Sequence, residues 1–159
     1  MGYACIATPF GYFTLFEEDH ALVAVEWGHA PDPQQASPLL TEAQTQLDAY
    51  FHGHLQRFTL PLRPAGTAFQ CRVWTALAAI PFATVVTYGA IARALGTGPR
   101  AVAQACSRNP LPIIIPCHRV VGANGTLGGY SGGDGPSTKR SLLELEGVCT
   151  QSENRPQAP

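Results

Sequence analysis

Hydrophobic and polar positions alternate at the start of the chain, and the period then lengthens. Tyr3–Thr8, Tyr12–Glu17 and Ala21–Trp27 read as strands, separated by Pro9-Phe10-Gly11 and Asp19-His20. In the third, Ala21, Val23, Val25 and Trp27 share one face, as a half-buried strand requires. Pro31, Pro33 and Pro38 mark a loop. Thr41-Glu42-Ala43-Gln44 has the form of a capping box, with Ala43, Leu47 and Tyr50/Phe51 at helical spacing up to Gly53. Phe58–Leu62 predicts one more strand, which Pro61 confines to an edge or ends.

The second half is helical in period. After the linker 63–66, Thr67-Ala68-Phe69-Gln70 is another capping box. Phe69, Val73, Leu77 and Ile80 form a stripe that Pro81 stops. Thr87 caps a short helix, Tyr88–Leu95, and Gly96-Thr97-Gly98 leads to Pro99 at the first position of a helix reaching about Ser107. Two short helices so joined predict a helix-turn-helix over about 88–107. Ile113-Ile114-Ile115 is an apolar run ending at Pro116, and residues 122–135 hold seven glycines. Pro136–Glu146 predicts a last helix, closed by Gly147. The fold class is α+β. Residues 1–65 form a small antiparallel sheet with a helix, residues 66–149 a mainly helical domain, and 150–159 a disordered tail.

Composition narrows the class. With 45% hydrophobic and 13% charged residues among 159, the chain can bury a core. No apolar run reaches about 18 residues, which predicts no membrane span, and no basic segment followed by an apolar one suggests a secretory signal. Five cysteines in that context predict a reducing compartment such as the cytoplasm. Charge is split. Residues 1–65 carry two arginines and seven acids, whereas residues 66–149 carry seven basic residues and three acids. Arg72 to Gly133 contains five arginines and no acid. The second part can face a polyanion, or the two parts can attract each other.

Pro116-Cys117-His118-Arg119 is the chemical focus. An apolar run delivers a cysteine to a proline-fixed turn beside a base and a cation, the setting that promotes a thiolate. Cys5, Cys71, Cys106 and Cys149 read instead as packing residues. Metal binding is disfavoured, since the chain has no Cys-x-x-Cys and no His-x-x-x-His, and no cofactor is expected. A cysteine–histidine hydrolase would want a Gly-x-Cys-x-Gly elbow, which is missing. Adjacent Cys117 and His118 point apart on most backbones, so direct proton transfer between them is not expected, although a water could bridge them.

IIIPCHRVV at 113–121, followed by Gly128-Gly129-Tyr130-Ser131-Gly132-Gly133, resembles the active-site signature of the O6-alkylguanine-DNA alkyltransferases. Residues 66–147 resemble that family's DNA-binding domain in order and spacing; the first lobe resembles it more loosely, through Thr8-Pro9-Phe10-Gly11 and the strands after it. The resemblance implies direct reversal of DNA damage. A damaged guanine is flipped out of double-stranded DNA and its O6-alkyl group moves irreversibly to Cys117. It further implies His118 as the base acting through a water, Glu146 as the carboxylate that orients it, Tyr88 as a donor to guanine N3, and Asn109 as a brace. Arg100 would replace the extruded nucleotide, with Ala101, Gln104, Arg108 and Tyr88 also on the DNA. The recognition helix would lie in the minor groove, where the small residues Ala101, Ala103 and Ala105 allow close approach. Tyr130, Ser131 and Gly132 would close over the base and Lys139 would support the pocket. Arg119 is read as holding structure through buried hydrogen bonds. The protein is expected to be a monomer. A non-catalytic alkyltransferase-like damage binder and a helix-turn-helix regulator are the alternatives.

Overall fold

The computed structural model describes residues 2–29 and 37–149; the expected loop at Pro31 and Pro33 and the expected tail lie outside them. Three strands, β1 (Gly2–Thr8), β2 (Gly11–Glu18) and β3 (Ala21–Trp27), form an antiparallel sheet in chain order. Asp19 and His20 both take positive φ, 50° and 64°, the backbone of a two-residue hairpin turn whose twist suits the strands. The strict alternation expected in β3 does not hold. Phe16 pairs with Ala24 but Glu17 pairs with Leu22, so Val23 is an extra residue in the ladder. The face flips across that bulge, and Leu22 is buried with Val25 while Val23 is half-buried.

Helix α1 (Pro38–Phe51) packs on this sheet. It starts earlier than the Thr41 capping box suggested: Ser37 is the cap, accepting from the Leu40 N–H at 3.0 Å, and Pro38 opens the helix. Proline is suited to that position because its missing N–H is not needed there. Phe58–Leu62 forms no strand. Only Leu22 bridges to Leu62, through Leu22 N–H to Pro61 O (2.9 Å) and Arg63 N–H to Leu22 O (2.8 Å). Pro61 supplies an acceptor but no donor, which keeps the pairing to a single bridge.

Helix α2 (Ala68–Ala78) opens on the Thr67/Gln70 capping box, with both reciprocal bonds made. Strand β4 (Val86–Thr87) leads directly into α3 (Tyr88–Leu95), which Thr87 caps. Gly96, at φ 71°, ends α3, and Pro99 opens α4 (Pro99–Ser107). Helices α3 and α4 form the helix-turn-helix. Residues 113–115 are buried but form no strand; a single turn of 3₁₀-helix, Cys117–Arg119, precedes β5 (Val120–Val121). Strand β5 pairs parallel to β4, which sets the Cys117 turn beside the start of α3. Helix α5 (Pro136–Leu145) closes the fold. Among the described residues no helix is long and apolar enough to cross a membrane.

One continuous core runs through both parts of the chain, from Phe13, Leu15 and Leu22 to Trp74, Val102 and Leu142. Trp74 ties α2 to α4: its indole N–H donates to Ala105 O at 2.9 Å, and the residue is only 2% exposed. Ala105 itself is buried, at 3% exposed. Replacing Trp74 by Phe is expected to cost about 2–3 kcal/mol, because a buried acceptor loses its donor and a small void opens. Urea unfolding with an unchanged m-value checks this; a loss below about 0.5 kcal/mol would count against the bond.

Candidate active site

The turn that presents Cys117 is held from both sides. Pro116 takes φ −80° and ψ 67°, the centre of an inverse γ-turn, and the Cys117 N–H closes that turn on Ile115 O at 2.8 Å. The Asn109 side chain donates to the same Ile115 carbonyl at 2.8 Å and accepts from the Leu111 N–H at 2.9 Å. Asn109 thus spans the segment on which the thiol is mounted. Within it, Ile113 holds φ +75°, a conformation a β-branched residue adopts only when its surroundings enforce it. Its side chain is 1% exposed, and the Ile115 N–H to Leu111 O bond (2.8 Å) closes the turn around it.

Behind the turn lies a fully engaged carboxylate. Glu146, the residue that ends α5, is buried. Its Oε2 accepts from Tyr50 Oη (2.6 Å), His118 Nε2 (2.7 Å) and Arg119 Nη2 (3.0 Å). Its Oε1 accepts from Arg119 Nε (2.9 Å) and the Ala83 N–H (3.3 Å). Burial alone would raise the Glu146 pKa; the hydrogen bonds from His118, Arg119 and Tyr50 outweigh it and hold the group down at about 2. Arg119 also donates to Ile80 O at 2.7 Å and lies over the Phe82 ring.

His118 is fully buried, and burial lowers its pKa from the ordinary value despite the bond to Glu146. With Nε2 committed to Glu146, its Nδ1 is buried without a hydrogen-bond partner among the described residues. That nitrogen is the end of the pair free to take a proton. Burial pushes the Cys117 thiol up; the Asn109 amide, the Lys139 ammonium and its own backbone N–H pull it back in part.

Cys117 opens into a cavity of about 310 Å³, lined also by Tyr88, Ala103, Cys106, Ser107, Gly129, Tyr130 and Ser131. Tyr88 stands at the start of α3, where β4 delivers it. The fully buried Lys139 ammonium is 3.3 Å from its hydroxyl and 3.2 Å from Gly129 O. Burial sets Lys139 down to about 8 and Tyr88 up to about 12. A Cβ on Gly128 would stand 3.2 Å from the Tyr88 ring, at φ +77°, so the loop approaches Tyr88 as only glycine permits. Further along, Gly132 and Gly133 lie against the Trp27 indole; a Cβ on Gly132 would stand 2.6 Å from it. Trp27 also meets Tyr130 edge-on, ring centroids 6.3 Å apart.

The structure thus brings Cys117, His118, Glu146 and Asn109 together, and Tyr88, Lys139, Tyr130 and Ser131 around the cavity. Gly132 lies on the Trp27 side of the loop and lines a neighbouring cavity that Cys117 also borders. Ala101, Gln104 and Arg108 do not line the Cys117 cavity; they face a groove shared with Thr67, Phe69 and Gln70. Arg100 is exposed at the second position of α4 and has no ion pair with another described residue. Sequence reasoning missed Tyr50 and Trp27, which reach the site from the sheet and α1, and Cys106. Cys106 is buried as expected, yet lines the same cavity as Cys117, with burial raising its pKa to about 12. Cys71 is half-buried and packs against the core, Cys5 is half-buried, and Cys149 is exposed, so the packing reading fails at Cys149. Among the described residues, no group of three or more His, Cys, Asp or Glu is placed to hold a metal ion.

Comparison with known proteins gives this geometry a context. Residues 68–148 match the family model described as 6-O-methylguanine DNA methyltransferase, DNA binding domain. Residues 1–64 match the model described as its ribonuclease-like domain. The chain is 42% identical, over 158 residues, to the methylated-DNA–protein-cysteine methyltransferase of Methanosarcina acetivorans, covering 94% of this chain and 100% of that one. It is 39% identical to the constitutive enzyme of that name from Bacillus subtilis, over 92% and 95% of the two chains. The crystal structure of Mycobacterium tuberculosis OGT in complex with DNA superposes with a TM-score of 0.81 at 41% identity, covering 92% of each chain. The chain belongs to the 6-O-methylguanine DNA methyltransferase family.

Proposed function

We infer that this chain repairs DNA by direct reversal, moving the alkyl group of O6-alkylguanine onto its own Cys117, irreversibly and once per molecule. The observation that carries the reading is the Cys117 thiol opening into a base-sized cavity while its neighbour His118 is buried and joined to Glu146 at 2.7 Å, a partner the other thiol of that cavity, Cys106, does not have beside it in sequence. Family membership supports the reaction class.

Guanine O6 lies inside the duplex stack, so the nucleotide is extruded before chemistry. A cavity of about 310 Å³ has room for one extruded purine. The Cys117 proton passes through a water to His118 Nδ1, and Glu146 stabilises the imidazolium that results. The thiolate attacks the alkyl carbon from the side opposite O6. The sulfur–carbon bond forms, the carbon–O6 bond breaks, and its electron pair passes into the purine. Tyr88 donates to N3 as that charge builds, which is electrostatic stabilisation of the leaving group. Lys139, fixed on Tyr88 and Gly129 O, supports that donor. The purine anion takes up a proton by way of Tyr88 and water while His118 gives its own back to solvent, so the products are guanine and an S-alkylcysteine, and the thioether has no route back to the thiol here.

In this reading residues 1–65 act as a scaffold and 66–149 bind DNA. Tyr130, Ser131 and Gly132 close over the base, with the Ser131 N–H towards O6. Arg100 fills the gap left by the extruded nucleotide. Ala101, Gln104 and Arg108 lie along the minor groove, where contacts report little sequence. The protein acts as a monomer, without a cofactor.

Mass measurement after mixing with a duplex holding O6-methylguanine is expected to show one added methyl, on the peptide containing Cys117. Cys117→Ser should abolish it, and persistent transfer would remove the assigned role. Arg100→Ala is expected to slow repair of duplex at least about 10-fold while changing reaction with free O6-benzylguanine less than about 2-fold. Equal losses on both substrates would argue against the extrusion role. Because burial lowers the His118 pKa, its neutral, proton-accepting form persists below the usual imidazole range. Transfer should therefore keep its rate to lower pH than an ordinary imidazole base would allow; an acid limb centred above the usual imidazole pKa of about 6.5 would contradict it.

A further inference from the structure

Tyr50 is the one residue of α1 that touches the catalytic carboxylate. Its hydroxyl donates to Glu146 Oε2 at 2.6 Å, the same oxygen that receives His118 Nε2 at 2.7 Å. The residue is 1% exposed, and its ring is boxed in by Phe51, Phe58 and Phe82, with centroids 5.3, 5.4 and 6.4 Å away. The donor cannot swing aside, nor can water replace it without displacing an aromatic ring.

We propose that Tyr50 is a positioning residue for the reaction, setting how strongly Glu146 draws on His118 and so tuning the base that activates Cys117. This rests on the reading of His118 as that base. Two donors on one carboxylate oxygen compete for its charge. A phenol held on Oε2 weakens the pull of that oxygen on the imidazolium, and it also prevents the carboxylate from rotating away from His118. Burial and the neighbouring Glu146 push the Tyr50 hydroxyl well above its ordinary pKa, so it stays a donor throughout the working pH range.

The groups facing His118 are few. Glu146 at the end of α5 favours its charged form; Arg119 in its own turn and Lys139 in α5 oppose it. Arg119 and Glu146 balance each other in charge, and Lys139, held down to about 8, keeps its charge across the acid limb, so the phenol, although neutral, acts there against a fixed background. Helix α1 thereby has a chemical as well as a structural part in the site.

The test follows the His118 ring by ¹H–¹⁵N NMR in the full chain, alongside the pH dependence of methyl transfer. Tyr50→Phe keeps the ring and removes the donor. The His118 midpoint is expected to rise by about half a pH unit, and the acid limb of the transfer rate to move with it. Fluorotyrosine at position 50, a stronger donor of nearly the same shape, is expected to move the midpoint down. A lower melting temperature with the midpoint and the limb unmoved in both variants would make Tyr50 a structural strut and overturn the proposal. The NMR shift is read without any transfer. If the wild-type protein failed to methylate Cys117 while the midpoint still moved, the functional reading would fall and the Tyr50–His118 coupling would stand.

Discussion

A buried negative charge at the end of a helix is an unfavourable object, since the helix dipole already concentrates partial negative charge there. Glu146 is stable because five donors converge on it from separate stretches of chain: α1, the segment after α2, and the Cys117 turn. Removing one partner from such a group is far more costly than a surface ion pair is favourable. The carboxylate therefore acts as a knot. The Cys117 turn, the end of α5 and the first helix can be assembled in only one relative arrangement that satisfies it.

The thiol is placed by a different kind of constraint. The Asn109 bridge, the turn at Pro116 and the left-handed Ile113 form a stiff mount, and the short β4–β5 ladder brings that mount to Tyr88. The cavity lies between this rigid side and a glycine-rich loop. On the proposed reading nucleophile, base and leaving-group donor thus sit on the stiff side, and the glycine-rich loop is the part that admits the bulky base. That division suits a reaction in which geometry at carbon is demanding and the substrate is large.

Much of this was legible in the chain. The Thr67/Gln70 capping box, the Thr87 cap, the glycine connection before Pro99 and the PCHR run each have a local physical cause, and local causes are what sequence displays. The misses are non-local. Ser37 outcompeted Thr41 as a cap because Pro38 suits a helix start. The bulge at Val23 is set by pairing with β2, and the failure of Phe58–Leu62 to form a strand follows from the single bridge that Pro61 permits. Tyr50 and Trp27 read as ordinary core aromatics, because the partner that gives each its role lies on the far side of the linker. Glu146 drew attention only through a family resemblance; by spacing alone it was a solvated helix end.

The contact between Trp27 and the two glycines of the loop reaches beyond this one molecule. The indole lies where a side chain at 132 would be, whereas at 133 Thr138 lies nearer than the indole, so positions 27 and 132, far apart in the gene, share one volume. A larger residue in the loop is tolerable only with a smaller one in the strand. Lineages that exchange their amino-terminal sheet for another would have to exchange the loop with it, and the pair would be inherited as one piece.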